Sequence, residues 1–270
     1  MPPPGRSLAA TRSAAAGNTS RHLVMLHGIY GRGRNWQGIA RALTAARPEY
    51  ACWLVDLPHH GDSGPARHGA SVRGFAADVD DWLRERGIAP DVILGHSYGG
   101  KVALALAGSR PEQPLQAWII DSTPEMKAPS GSAWRMLQIV RDLPDRFAAR
   151  EEAVAGIVAG GFPPAVAQWM ATNLERADGG FAWRLDFDVM EALLVDFFGA
   201  DLWPVVERPP ARHEIHFLKA TASDAISAGA AARIAAAAPG RVYLHHREGG
   251  HWIHAESPQV VVDLLLRQLP

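Results

Sequence analysis

The sequence predicts an α/β protein with a mostly parallel sheet, and three observations carry that expectation. Short apolar runs alternate with segments of helical periodicity, the pattern of repeated strand–helix–strand units. One such run, residues 91–94, passes abruptly into a helix through Gly95-His96-Ser97-Tyr98-Gly99. A loop with paired glycines, Gly249-Gly250-His251, stands before the last helix.

Strands are expected at residues 22–26, 51–55, 91–94, 116–120, 214–219 and 241–245, each a short apolar run. Helices are expected between them at residues 35–47, 71–86, 98–108 and 225–238. The last helix is the clearest. Ser257 is placed to cap it and Pro258 to start it, with Val261, Val262, Leu265, Leu266 and Leu269 on one face. The alternation breaks between about residues 122 and 212, where helical patterns at 132–141 and 163–176 accompany a concentration of aromatics, among them Trp134, Phe162, Trp169, Trp183 and Phe197. A helical cap over residues 122–212 is therefore expected, inserted into a core of residues 21–121 and 213–270 and lining an apolar cavity. Residues 1–20 are rich in Pro, Ala, Gly and Ser without apolar pattern, and read as a flexible arm.

Bulk properties narrow the function classes. With 270 residues, 47% of them apolar, the chain can fill one large domain or a domain with an insertion. A net charge of -1 and a pI near 6.9 give no reason to expect nucleic acid or an anionic membrane as partner. No apolar run approaches the roughly 18 residues a membrane span needs. Cys52, the single cysteine, lies in an apolar run and reads as a buried structural thiol. No secretory apolar stretch is present, so a cytoplasmic protein is expected, monomeric or homodimeric.

The chemistry centres on Ser97. A turn of the form Gly-x-Ser-x-Gly holds its serine in a strained conformation above the sheet, with the glycines allowing strand and helix to approach. A serine hydroxyl needs a general base oriented by a carboxylate. His251 is the candidate base, in the loop after the last expected strand. The acid must come between them in chain order. Asp121, ending the strand at 116–120, is favoured. Asp224, after the strand at 214–219, is the alternative, but the usual slot counted from that strand's end falls on Ser223 and leaves Asp224 one residue late. Ser223 is placed to support the His–Asp pair by a hydrogen bond. Oxyanion donors are expected from the N–H groups of Ile29 and Tyr98. His27, Gly28 and Trp252 are expected to contact substrate. The adjacent pairs His59-His60 and His245-His246 point to opposite sides of extended chain, and His254 lacks a third ligand nearby, so no metal and no cofactor is expected.

These residues together resemble the α/β-hydrolase superfamily from about residue 21 to residue 270. His27-Gly28-Ile29 matches its oxyanion loop, Asp56 through Gly64 the turn after the second expected strand, Gly95 through Gly100 its nucleophile elbow, and Gly250-His251 its histidine loop. Residues 120–124, 181–186 and 250–258 resemble a subgroup of small esterases and acyl-thioesterases with a short helical cap. That resemblance implies esters of short to medium chains, and in some members the acid matches Asp121 while a serine matches Ser223. The serine excludes relatives with an aspartate nucleophile; haloperoxidases without cofactor share the triad.

The expected activity is hydrolysis of carboxylic esters or thioesters of small to medium apolar acyl groups through an acyl-enzyme on Ser97. One alternative uses the same triad for carbon–carbon cleavage or for the proton abstraction of menaquinone-pathway synthases, which would require arginines such as Arg135, Arg176 or Arg184 to converge on the pocket. Another is a non-catalytic ligand-binding module on the same scaffold.

Overall fold

The structure, a computed structural model, describes residues 8–15 and 19–270. Along the chain come β1 (Ala10–Ala14), β2 (Arg21–Leu26), α1 (Gln37–Ala46), β3 (Tyr50–Val55), α2 (Val72–Glu85), β4 (Val92–His96), α3 (Tyr98–Ser109) and β5 (Leu115–Ile120). An insertion follows: α4 (Gly131–Asp142), β6 (Arg146–Phe147), α5 (Arg150–Ala159), α6 (Pro164–Ala171), β7 (Leu174–Ala177), β8 (Gly180–Trp183), α7 (Phe187–Gly199) and α8 (Trp203–Glu207). The chain then returns through β9 (His213–Ala220), α9 (Ala228–Ala236), β10 (Val242–Arg247), α10 (Ile253–Glu256) and α11 (Pro258–Gln268).

The main sheet has the order β1-β3-β2-β4-β5-β9-β10, parallel except where β1 meets β3. Its inner strands are apolar on both faces because helices cover both. Leu23 and Met25 of β2 face one layer with Trp36, Leu43, Val261 and Leu265 from around α1 and α11. Val24 and Leu26 face the other with Phe75, Val79, Val102 and Leu106 of α2 and α3. β4 lies near the middle of the sheet, so the residue that follows it is surrounded by structure.

Three expectations need correction. The arm expected over residues 1–20 lies partly outside the described residues, and its described part forms β1, paired with β3 from Ala10↔Val55 to Ala14↔Ala51. As an edge strand it buries little, so it carries no apolar signal. The helix expected over 163–176 stops at Ala171, and the insertion contains a small antiparallel sheet, β6-β8-β7. A two-residue Asp178-Gly179 turn joins β7 to β8, with Gly179 at φ +78. Ser257 precedes Pro258 as expected, yet its side chain makes no capping bond at φ -141, ψ 60.

Lys101 joins the insertion to the core. It lies in α3 and is completely buried. Its Nζ donates to the carbonyls of Glu125 at 2.9 Å and Phe197 at 2.5 Å, near the two ends of the insertion. Burial brings its pKa down from 10.5 to about 7. Between those values the unfolded chain holds a proton that the folded protein has released, so stability rises with pH across that window. Thermal melts from pH 7 to 10 should show the wild-type midpoint climbing by several degrees relative to Lys101→Met, whose profile should lack this rise; parallel profiles would refute the assignment.

Candidate active site

Ser97 occupies the single residue between β4 and α3, at φ 51, ψ -117. A left-handed backbone at a residue with a side chain costs about 1–3 kcal/mol and persists only where the surroundings enforce it. Here they do. A Cβ on Gly95 would stand 2.0 Å from the Gly99 carbonyl oxygen, and one on Gly99 2.3 Å from that of His27. The Ser97 N–H donates to the Ile120 carbonyl at 3.0 Å, which ties the turn to β5.

Asp121 follows β5 directly, fully buried and itself at φ 46. Its N–H donates to the Leu218 carbonyl at 2.7 Å, and its Oδ1 accepts from the Ala220 N–H at 3.0 Å. Its Oδ2 lies 2.8 Å from His251 Nδ1, while His251 Nε2 lies 3.1 Å from Ser97 Oγ. The aspartate thus fixes the proton on Nδ1 and leaves Nε2 to accept from the serine hydroxyl. The His251 carbonyl in turn accepts from His96 Nε2 at 2.7 Å. All three groups sit past the carboxyl ends of parallel strands, where open α/β sheets bind ligands.

Asp224 and Ser223 do not join this arrangement. Asp224 is exposed and lies near Gly131, and its carbonyl receives Lys127 Nζ at 3.5 Å. The Ser223 hydroxyl accepts from the Ala225 N–H at 3.2 Å, a turn contact, and does not bond to the His251–Asp121 pair. β9 ends at Ala220, and the turn that follows it leaves the Asp224 side chain exposed, away from His251 Nδ1, which Asp121 occupies.

The loop after β2 packs on the turn at Ser97, since a Cβ on Gly28 would meet His96 Nδ1 at 2.8 Å and Ser97 Cβ at 3.3 Å. Gly28 through Gly31 form a tight turn closed by the Gly31 N–H on the Gly28 carbonyl at 3.0 Å. Tyr30 takes the position of that turn with positive φ, 64, ordinarily a glycine or asparagine site. Its phenol is buried, which raises its pKa and keeps it a donor; it gives its proton to the Ala133 carbonyl at 3.0 Å. Tyr98 opens α3, so its N–H has no acceptor within the helix. His27 is not free to bind substrate through its nitrogens: Nδ1 donates to the Gly28 carbonyl at 2.8 Å and Nε2 accepts from the Leu57 N–H at 2.9 Å.

Two small cavities meet at Ser97 and His251. One, of about 10 Å³, runs between Ile29, Tyr30, Trp169 and Trp252. The other, of about 30 Å³, is lined by Ala133, Phe197, Phe198 and Lys127. The insertion supplies Trp169, Ala133, Phe197 and Phe198, and sequence patterns gave no reason to single out Ala133. No converging arginine cluster lines either cavity. Arg135 reaches the Gly160 carbonyl and covers Phe162, Arg176 covers Phe181, and Arg184 binds the Gly61 carbonyl and Asp62.

Beneath the site lie four further histidines, all buried: His27, His60, His96 and His254. Burial lowers His27 to about 4 and both His60 and His254 to about 3, and holds His96 well below the usual histidine range. At neutral pH these rings are uncharged, so none opposes a proton arriving on His251.

A strand–serine–helix elbow, with a buried aspartate after the neighbouring strand and a histidine after the last strand, is the arrangement found in enzymes of the α/β-hydrolase fold. The chain belongs to the alpha/beta hydrolase family, whose profile matches residues 23–264. It is 27% identical to mouse sn-1-specific diacylglycerol lipase ABHD11 over 249 residues, covering 89% of this chain and 78% of the relative. It is 29% identical to lipase LipV of Mycobacterium tuberculosis over 175 residues, 62% of this chain and 63% of that one. A marine microorganism esterase shares the fold at a TM-score of 0.80 and 23% identity, covering 97% of this chain and 98% of its own. Among the described residues, no helix is long and apolar enough to cross a membrane.

The histidine cluster sets an acid limit. Between pH 6.5 and about 4 the unfolded chain binds protons on His27, His60 and His254 that the folded protein refuses, so stability falls on acidification through that range. Chemical denaturation at stepped pH should show a shallower acid loss in His60→Gln than in the wild type; equal slopes would count against the cluster as its origin.

Proposed function

We propose that this chain is a serine hydrolase that cleaves carboxylic esters or thioesters of short acyl groups through an acyl-enzyme on Ser97. The observation that carries the reading is His251, hydrogen-bonded to Asp121 Oδ2 on one nitrogen and within 3.1 Å of Ser97 Oγ on the other. Ser97 Oγ attacks the carbonyl carbon as His251 Nε2 takes its proton. The N–H groups of Ile29 and Tyr98 receive the oxyanion. His251 then protonates the departing alcohol or thiol, leaving the acyl group on Ser97. Water attacks that ester, again losing a proton to His251, and the acid is released as Ser97 regains its hydrogen. Asp121 holds the imidazole in the required tautomer and stabilises its charged form.

The relatives named as lipases and esterases favour ester chemistry within the family. The small size of the two cavities at Ser97, about 10 and about 30 Å³, supports short acyl groups. Among the described residues no arginine lines either cavity and Lys127 is the one lysine there, so the cluster of basic groups that the alternative chemistry calls for has no support.

Purified protein should be labelled by a fluorophosphonate, and Ser97→Ala should abolish both labelling and turnover, a loss on the order of 10⁶ in kcat. Labelling that survives in Ser97→Ala would reject the nucleophile. Asp121→Asn should lose on the order of 10⁴ in kcat, while Asp224→Asn stays near wild type; the reverse ranking would move the acid to Asp224. Across p-nitrophenyl esters, kcat/KM should be greatest for acetate to butyrate and at least roughly tenfold lower for octanoate. A rise with chain length would show that the cavities open to longer acyl groups.

A further inference from the structure

Two hydrogen bonds cross from the insertion to the loop that holds the proposed oxyanion donor. Asn173, in the turn between α6 and β7, is 5% exposed. Its Nδ2 donates to the Tyr30 carbonyl at 2.8 Å and to the Met170 carbonyl at 3.2 Å. The Tyr30 phenol donates to the Ala133 carbonyl at 3.0 Å, near the start of α4. Both polar ends of Tyr30 are therefore held by the insertion, and no residue of the core provides either contact.

Tyr30 is the residue that needs holding, because its φ of 64 belongs to a backbone conformation that side chains other than asparagine and aspartate disfavour. That conformation lets the Gly31 N–H reach the Gly28 carbonyl at 3.0 Å. The same carbonyl accepts from His27 Nδ1 at 2.8 Å. A peptide unit is planar and trans, so a carbonyl pinned by two donors fixes the N–H on its far side. The N–H opposite the Gly28 carbonyl belongs to Ile29, the oxyanion donor.

We propose that Asn173 is a positioning residue for the oxyanion hole, and that the insertion sets the direction of the Ile29 N–H through Tyr30. The insertion thereby contributes to the chemical step besides lining the cavities. This rests on the reading of the chain as a serine hydrolase.

The test compares wild type, Asn173→Ala and Tyr30→Phe, the last keeping the ring while removing its donor. Each is assayed on p-nitrophenyl acetate and with a short-chain trifluoromethyl ketone, which forms a hemiketal oxyanion on the serine. Asn173→Ala should lower kcat about ten- to a hundredfold with KM little changed, less than or comparable to removal of one oxyanion donor outright. Its inhibition constant for the ketone should rise by the same factor. Tyr30→Phe should move both quantities in the same direction by a smaller factor. Unchanged kcat, a loss carried by KM, or a fall in kcat without weaker ketone binding would each overturn the proposal. Should Asn173→Ala fail to fold, Tyr30→Phe decides the matter by the same readouts, and failure of both to fold would assign these contacts to stability and overturn it. A wild type that neither hydrolyses the ester nor binds the ketone would instead bring down the serine-hydrolase reading, and this inference with it.

Discussion

Turning the chain from β4 into α3 within one residue forces Ser97 into a left-handed backbone, and that requirement propagates outward. The helix can start so close to the strand only because Gly95 and Gly99 lack side chains; any Cβ there would sit within bonding range of a carbonyl oxygen. The conformation also needs a rigid frame. β4 supplies it from the middle of the sheet, with α3 buried along most of its length and the Ser97 N–H bonded across to β5. The loop after β2 then packs against the exposed side of the turn. Each neighbouring group is positioned relative to this one strained residue.

The electrostatics follow the same economy. His251 and its aspartate stand over a layer of histidines that burial keeps neutral, so a proton on His251 meets a carboxylate and no competing cation beneath it. On the proposed reading, negative charge developing on a bound carbonyl meets backbone N–H groups. Such a site changes its charge distribution by moving one proton over a short distance, with dipoles already in place, which keeps reorganisation small.

How much of this the sequence discloses depends on whether the cause is local. The inner strands β2, β3, β4 and β5 are legible because helices on both faces make them nearly continuous apolar runs, whereas β1 pairs along one edge only and reads as irregular. The β7–β8 hairpin hides because Glu175 and Arg176 are exposed and break any apolar alternation, although Asp178-Gly179 marks its turn. Ser97 and His251 stand out because glycines beside them encode their loops. The choice between Asp121 and Asp224 is not local, since both follow adjacent strands. It turns on register: Ile120 pairs with Leu218, which sets Asp121 beside Ala220 and leaves Asp224 beyond the sheet. Asn173 is less legible still: it bonds to a residue 143 positions away, beside the His27-Gly28-Ile29 loop, and has no motif of its own.

Lys101 has a mechanical consequence. Its two hydrogen bonds fasten the first residues of the insertion, at Glu125, and the last turn of α7, at Phe197, to one point on α3. A rocking of the whole insertion about its roots would strip a buried amine of both acceptors. Any such movement must therefore carry α3 with it, so the insertion's roots and the helix that starts after Ser97 are joined as one block.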